Sequence, residues 1–124
     1  MSNKRPFSPE EFKAIYSKTT RLAVDLIITT SEGMVLSLRN IEPYRGRWHF
    51  PGGTVLFKEK IANAINRVAM DELGVPVVVS KLLGYIEYPK EETAGGYGYT
   101  VTMAFLCSVS SIRFRPNAES LEIK

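Results

Sequence analysis

The stretch "SPEEFKAIYSK" (8–18) places Ser8 as an N-cap, Pro9 at the first helical position and Glu11 three residues after the cap. That is a capping box and predicts a short helix. "TRLAVDLIITT" (20–30) is apolar and β-branched and predicts a strand. "SEG" (31–33) predicts a turn, and "MVLSLRN" (34–40) its hairpin partner. Residues 40–53, rich in Pro, Gly and Arg, predict a loop around the short segment "WHF". From about Lys60 to Leu73 the apolar residues Ile61, Ala62, Ile65, Ala69 and Leu73 recur at helical spacing, and Gly74 closes the helix. "VPVVVSKLLGYIEYPK" (75–90) and "YTVTMAFLCSV" (99–109) predict strands separated by the loop "EETAGGYG". "RFRPNAESLEIK" predicts a closing loop. Strands on both sides of a central helix, with a further helix in front, predict a mixed α/β domain with a largely antiparallel sheet.

Composition narrows the function classes. The 124 residues suit one domain, and 44% hydrophobic with 23% charged residues is ordinary globular usage. A net charge of +3 leans mildly toward an anionic substrate, but no Lys/Arg block marks a nucleic-acid footprint. The nearest approach is "YRGRW" (44–48). The single Cys107 excludes an internal disulfide framework and, inside an apolar run, reads as a buried structural thiol. No secretory h-region and no stretch of membrane-spanning length occurs, so the expected setting is soluble and cytoplasmic.

The candidate chemistry lies in "PGGTVLFKEKIANAINRVAMDELGV" (51–75). Gly52-Gly53 lets backbone carbonyls approach a ligand, Glu59 precedes the helix, and Asp71 and Glu72 stand together at its end. A hard divalent cation takes one to three carboxylates and leaves its other positions to water and phosphate. Taken alone, "DEL" reads more simply as a solvated helix end, with Asp71 pairing Arg67 at i,i+4.

The spacing as a whole resembles the Nudix box, G-x5-E-x7-R-E-U-x-E-E-x-G-U with U aliphatic. Gly53, Glu59, Arg67, Asp71, Glu72, Gly74 and Val75 fill it, and "GRWHFPGG" resembles its usual lead-in. Two positions depart: Asp71 replaces glutamate, and Val68 stands where many members carry a glutamate that ligates metal and serves as or near the general base. The resemblance implies a Nudix-type fold, a mixed, largely antiparallel sheet sandwiched between helices, and a Mg²⁺-dependent hydrolase (Mn²⁺ as the alternative ion) of a small nucleoside diphosphate derivative. Over the whole chain it implies a single Nudix-fold domain, 1–124, ending before the family's usual C-terminal helix, with a homodimer partner covering the exposed face.

Within the family the chain looks most similar to the GDP-mannose mannosyl hydrolase branch, which also lacks that glutamate. That branch cleaves the sugar carbon–oxygen bond and uses one Mg²⁺ to stabilise the leaving diphosphate. By this resemblance Gly53, Glu72 and Glu119 are metal ligands, with Glu59 or Asp71 in support. Asp25 contacts the sugar, Arg39 supports the diphosphate, and Arg67 braces the box and borders the substrate. Tyr99, with Tyr85, Tyr88 and Tyr97, flanks the Gly-rich loop and can stack on a base, core or rim packing being the simpler reading for most of them. The catalytic set is then Glu72, Asp71 and Arg39. Thr54 replaces an arginine of that branch, and Ser120 replaces its catalytic histidine. A structural Asp25–Arg39 pair is the competing reading for those two residues. A Nudix-fold nucleotide-binding module with weak or no turnover is the competing function.

Overall fold

The computed structural model describes residues 7–39, 48–88, 99–114 and 120–123, with side chains for all of these except 39 and 120–123. In chain order the elements are α1 (Pro9–Tyr16), β1 (Arg21–Thr30), β2 (Gly33–Met34), β3 (Ser37–Arg39), β4 (Trp48–His49), β5 (Gly52–Thr54), α2 (Ile61–Glu72), β6 (Val78–Tyr88), β7 (Thr100–Ser108) and β8 (Ser120–Ile123).

Helix α1 starts as its capping box requires. The Ser8 hydroxyl accepts from the Glu11 amide at 3.1 Å, and the Glu11 carboxylate accepts from the Ser8 amide at 2.9 Å. None of its residues is buried. Its aromatic face closes on itself, with Phe12 and Tyr16 ring centres 4.6 Å apart and Phe7 edge-on to Tyr16 at 6.5 Å.

Strand β1 is the spine. In the larger sheet, ordered β2-β1-β7-β6, it pairs antiparallel with β2 and β5 and parallel with β7. The parallel pairing matches Arg21 with Thr100 and continues to Ile28 with Cys107. Parallel neighbours cannot be joined by a tight turn, so α2 and β6 lie in the crossover between them. A smaller sheet, ordered β4-β3-β8, takes up Ser37–Arg39. The expected hairpin partner 34–40 is thus divided: Met34 pairs with Thr29 in one sheet, and Ser37–Arg39 belongs to the other. The segments expected as loops carry β4, β5 and β8. Their pairings come from residues elsewhere in the chain, and periodicity within two to four residues cannot reveal them.

Val24, Leu26 and Ile28 alternate onto one face of β1 and are fully buried. Against them pack Ala64, Ile65, Val68, Ala69 and Leu73 of α2 and its end. The buried stripe of α2 therefore runs through Val68, while Ala62, expected on it, is exposed. Gly74, at φ 72, ends the helix, and its amide reaches the carbonyls of Ala69 and Met70 at 3.1 and 3.2 Å. Only glycine adopts this left-handed cap without a Cβ penalty. Cys107 is buried in the same core, and burial pushes its thiol up, which fits a structural role.

Candidate functional site

The site forms where β5, the turn after it and α2 meet. The turn is made by the chain itself: the Glu59 amide donates to the Leu56 carbonyl, and the Leu56 amide donates to Glu59 Oε1, both at 2.9 Å. Lys58 in this turn holds φ 63, the left-handed region that non-glycine residues seldom adopt.

Arg67 closes the turn onto the helix. Its Nε donates to Glu59 Oε2 at 2.8 Å, and its Nη2 donates to Glu59 Oε1 at 3.1 Å and to the Thr54 carbonyl at 2.7 Å. A planar guanidinium gripping a carboxylate at both oxygens is the strong form of this contact. The Arg67 hydrogen bond holds the Glu59 carboxyl below its ordinary range against the opposing cost of burial, helped by the Leu56 amide. Arg67 Nη1 also lies 3.7 Å from Asp71 Oδ2, the expected i,i+4 pair.

One face of α2 looks at β5. A Cβ added to Gly53 would meet Val68 Cγ2 at 3.2 Å, so Val68 fills the space directly beneath that glycine. Val68 is 2% exposed and belongs to the hydrophobic core. Glu72 follows one helical turn later on the same face, half-buried, with Oε1 shielded from solvent. Asp71 and Glu72 crowd the C-terminal end of α2, where no basic residue occupies the last turn. The macrodipole makes that end negative already, so the arrangement costs helix stability and concentrates negative potential there.

Gly52 is held even more tightly than Gly53. It is paired with Asp25 across β1 and β5, and a Cβ there would collide with Asp25 Oδ1 and, at 2.5 Å, with the Val24 carbonyl oxygen. Asp25, half-buried, lies between Gly52 and Ala104 in the sheet, on the face opposite Val24 and Leu26. The same face carries a cluster that sequence reading did not single out. Arg21 Nε donates to Thr100 Oγ1 at 3.1 Å, and Arg21 Nη1 donates to Thr54 Oγ1. The one sequence signal for it is an arginine opening an otherwise apolar strand.

The structure thus brings Gly53, Glu59, Arg67, Asp71 and Glu72 into one corner, with Asp25 on the neighbouring strand. Tyr99 lies half-buried at the start of β7, where its carbonyl accepts from the Arg21 amide at 3.0 Å. Arg39 is on β3, paired in backbone register with Ser120 of β8. Glu119 and Tyr97 lie outside the described residues. Among the described residues, no three His, Cys, Asp or Glu side chains converge as a ready-made metal cage. His49 sits on β4, part-buried, with Nδ1 2.7 Å from the Phe50 carbonyl oxygen. No described helix is long and apolar enough to cross a membrane.

The family model for the NUDIX domain matches residues 19–123. The chain is 42% identical over 79 residues to the low-salt glycan biosynthesis protein Agl8 of Haloferax volcanii, covering 64% of this chain and 51% of that protein. It is 30% identical over 88 residues to an ADP-ribose pyrophosphatase of Methanocaldococcus jannaschii, covering 71% of this chain and 50% of that one. The match spans about half the length of these curated relatives. Among solved structures, a NUDIX hydrolase from Nitrosomonas europaea superimposes with a TM-score of 0.70 at 26% identity, covering 84% of this chain and 55% of the other. A MutT protein from Methanosarcina mazei Go1 gives 0.75 at 21% identity, covering 86% and 76%, a likeness of fold.

Proposed function

This chain belongs to the Nudix family, and we propose that within it the protein is a Mg²⁺-dependent hydrolase of nucleoside diphosphate sugars or related nucleoside diphosphate derivatives. GDP-mannose, attacked at the sugar carbon, is the leading candidate. One observation carries the choice of mechanism. Val68 is a core residue lying under Gly53, in the place of the box's glutamate. A valine neither ligates metal nor takes a proton, so the conventional attack on phosphorus loses its usual base. Cleavage at the sugar carbon leans more on a stabilised leaving group, the part of the reaction that a cation at Glu72 would serve. Ser120 stands in place of that branch's histidine base, so another group would have to take the water's proton.

The donors we assign would suit one hard cation. Glu72 would offer a carboxylate, one oxygen of which is shielded from solvent, and the Gly53 carbonyl would be the second oxygen donor. Mg²⁺ keeps several waters and asks for few protein ligands. Glu72 and Gly53 would hold it, with Glu119 as the proposed third ligand and Asp71 in support. When bound, the cation neutralises charge on the departing diphosphate.

Glu59 is engaged at both oxygens by Arg67 and Leu56, so its proposed share is to brace the turn and stand behind the metal. Arg67 is a positioning residue: its donors keep the Gly53-Thr54 backbone against α2. Arg39 would meet the diphosphate from β3. Asp25 would accept from a sugar hydroxyl. Arg21 adds a cation beside Thr54, close to where the resembling branch uses an arginine. Tyr99 would border the base. The glycan-biosynthesis name of the Haloferax volcanii relative supports a sugar-nucleotide substrate.

Hydrolysis of GDP-mannose in ¹⁸O-water tests the reading. Label in the released sugar supports carbon attack, whereas label in phosphate would return the protein to the conventional route. The second reading, a nucleotide-binding module, is favoured by Val68 and Ser120. Mg²⁺-linked nucleotide binding without turnover, across a panel of nucleotide sugars and nucleoside triphosphates, would establish it instead.

A further inference from the structure

The larger sheet has a second face, turned away from α2, and its middle is made of small side chains. Along β7, Met103 and Phe105 pack toward the α2 core, so Thr100, Thr102 and Ala104 point to the other side. The register sets Arg21 against Thr100, Ala23 against Thr102 and Asp25 against Ala104. Thr102 therefore lies midway between the two charged residues of β1. The two threonine hydroxyls fare differently. Thr100 Oγ1 accepts from Arg21 Nε at 3.1 Å, whereas Thr102 Oγ1 is shielded from solvent and has no hydrogen-bond partner. Thr102 is 1% exposed. A buried hydroxyl without a partner costs stability that a valine of the same shape would not. The β-branch suits the strand, but the oxygen serves no contact in the folded chain. On its other side Thr102 pairs with Ile86 of β6, which is half-buried. Gly84, two residues before Ile86, leaves open space, since an added Cβ would meet nothing within 4 Å. Ile86 has room to turn there and uncover the hydroxyl.

We propose that Thr102 is a specificity-determining residue whose hydroxyl bonds a hydroxyl of the sugar that Asp25 receives, a role that rests on the sugar-nucleotide reading above. A sugar ring carries hydroxyls on neighbouring carbons, and each both donates and accepts. Asp25 as a carboxylate only accepts, whereas the Thr102 hydroxyl does both. Adjacent strands such as β1 and β7 lie about 4.8 Å apart, a separation that hydroxyls on one ring span. Ala23 and Ala104, both small and buried, let the ring come close to the backbone. The substrate then supplies the partner that the free protein lacks. What the hydroxyl costs in the free protein becomes discrimination in the complex, because a sugar without the matching group leaves Thr102 unpaired.

The test compares Thr102→Val and Thr102→Ser with the parent on GDP-mannose, UDP-glucose and ADP-ribose, each beside its nucleoside diphosphate, with Mg²⁺ throughout. KM is read where turnover occurs and Kd by titration calorimetry where it does not. Thr102→Val is expected to weaken the preferred nucleotide sugar about fivefold to tenfold and to leave its nucleoside diphosphate within about twofold. Thr102→Ser, which keeps the hydroxyl, is expected to stay within about threefold of the parent on both. Thr102→Val should melt no lower than the parent and up to about 4 °C higher. A valine variant that takes the nucleotide sugar as well as the parent does overturns the proposal. An equal loss on the nucleoside diphosphate also overturns it, by moving the contact to the nucleotide. So does a valine variant that melts lower, because the hydroxyl would then have a structural partner. A parent that binds nucleoside diphosphates and nucleotide sugars equally well overturns the role of Thr102 alone. A parent that binds none of these ligands overturns the sugar-nucleotide reading and this role with it.

Discussion

The Arg67 guanidinium lies 2.8 Å from Glu59 and 2.7 Å from the Thr54 carbonyl oxygen, so one side chain ties α2 to the end of β5 and to the turn between them. Both charged groups are mostly buried, at 20% and 14% side-chain exposure. Removing one partner strands the other in a poorly solvated place. Arg67→Ala is therefore expected to cost about 3 kcal/mol in denaturant unfolding, with Arg67→Lys recovering less than half, because an ammonium cannot grip both oxygens.

The same pair sets an acid limit. Glu59 is held below its ordinary 4.5 in the folded protein. A carboxylate depressed by folding stabilises the protein above its unfolded value, and that contribution is lost as pH falls through the folded value. Stability should decline from about pH 4.5 downward, and Glu59→Gln should flatten that part of the profile. Urea midpoints measured from pH 7 to pH 3 check both.

The two adjacent glycines differ in what they tolerate. At Gly52 a methyl group meets the Asp25 carboxylate and the Val24 backbone, and neither yields cheaply. At Gly53 it meets only the end of the Val68 side chain at 3.2 Å. Gly52→Ala is expected to destabilise by about 3 kcal/mol and Gly53→Ala by about 1 kcal/mol, read as thermal and urea midpoints. Equal costs would contradict the packing described.

Val68 has a structural cost of its own. Val68→Ala should lose about 2 kcal/mol of stability from its buried contacts. Val68→Glu places a carboxyl in the core beside Glu72. It is expected to lower the melting temperature at pH 8 more than at pH 5, because burial disfavours the charged form. Added Mg²⁺ should narrow that gap.

Lys58 stands in the left-handed region, where a side chain costs roughly 1 kcal/mol that glycine avoids. Lys58→Gly is expected to raise stability by up to about 1 kcal/mol and to leave the proposed hydrolysis unchanged, since the side chain is exposed. A loss of stability would mean that Lys58 contributes more than its backbone costs.

The chain's local chemistry was legible without a structure. The Ser8 and Glu11 box opens α1, and the line Glu59, Arg67, Asp71, Glu72 with the Gly74 cap sits within one turn and one helix, so spacing alone places these residues. Even the Arg67–Asp71 contact follows from the four-residue step. What the tertiary structure decided is which distant strands meet. β1 joins β7 in parallel across some eighty residues, Arg21 reaches Thr54 and Thr100, Gly52 presses on Asp25, and residues 37–39 leave their expected hairpin for a second sheet. Val68 changed most. In the sequence it is a missing ligand, and in the fold it is a core side chain filling the floor under Gly53. Helical periodicity is a property of neighbours along the chain, whereas strand partnership and close packing are chosen by the whole core at once.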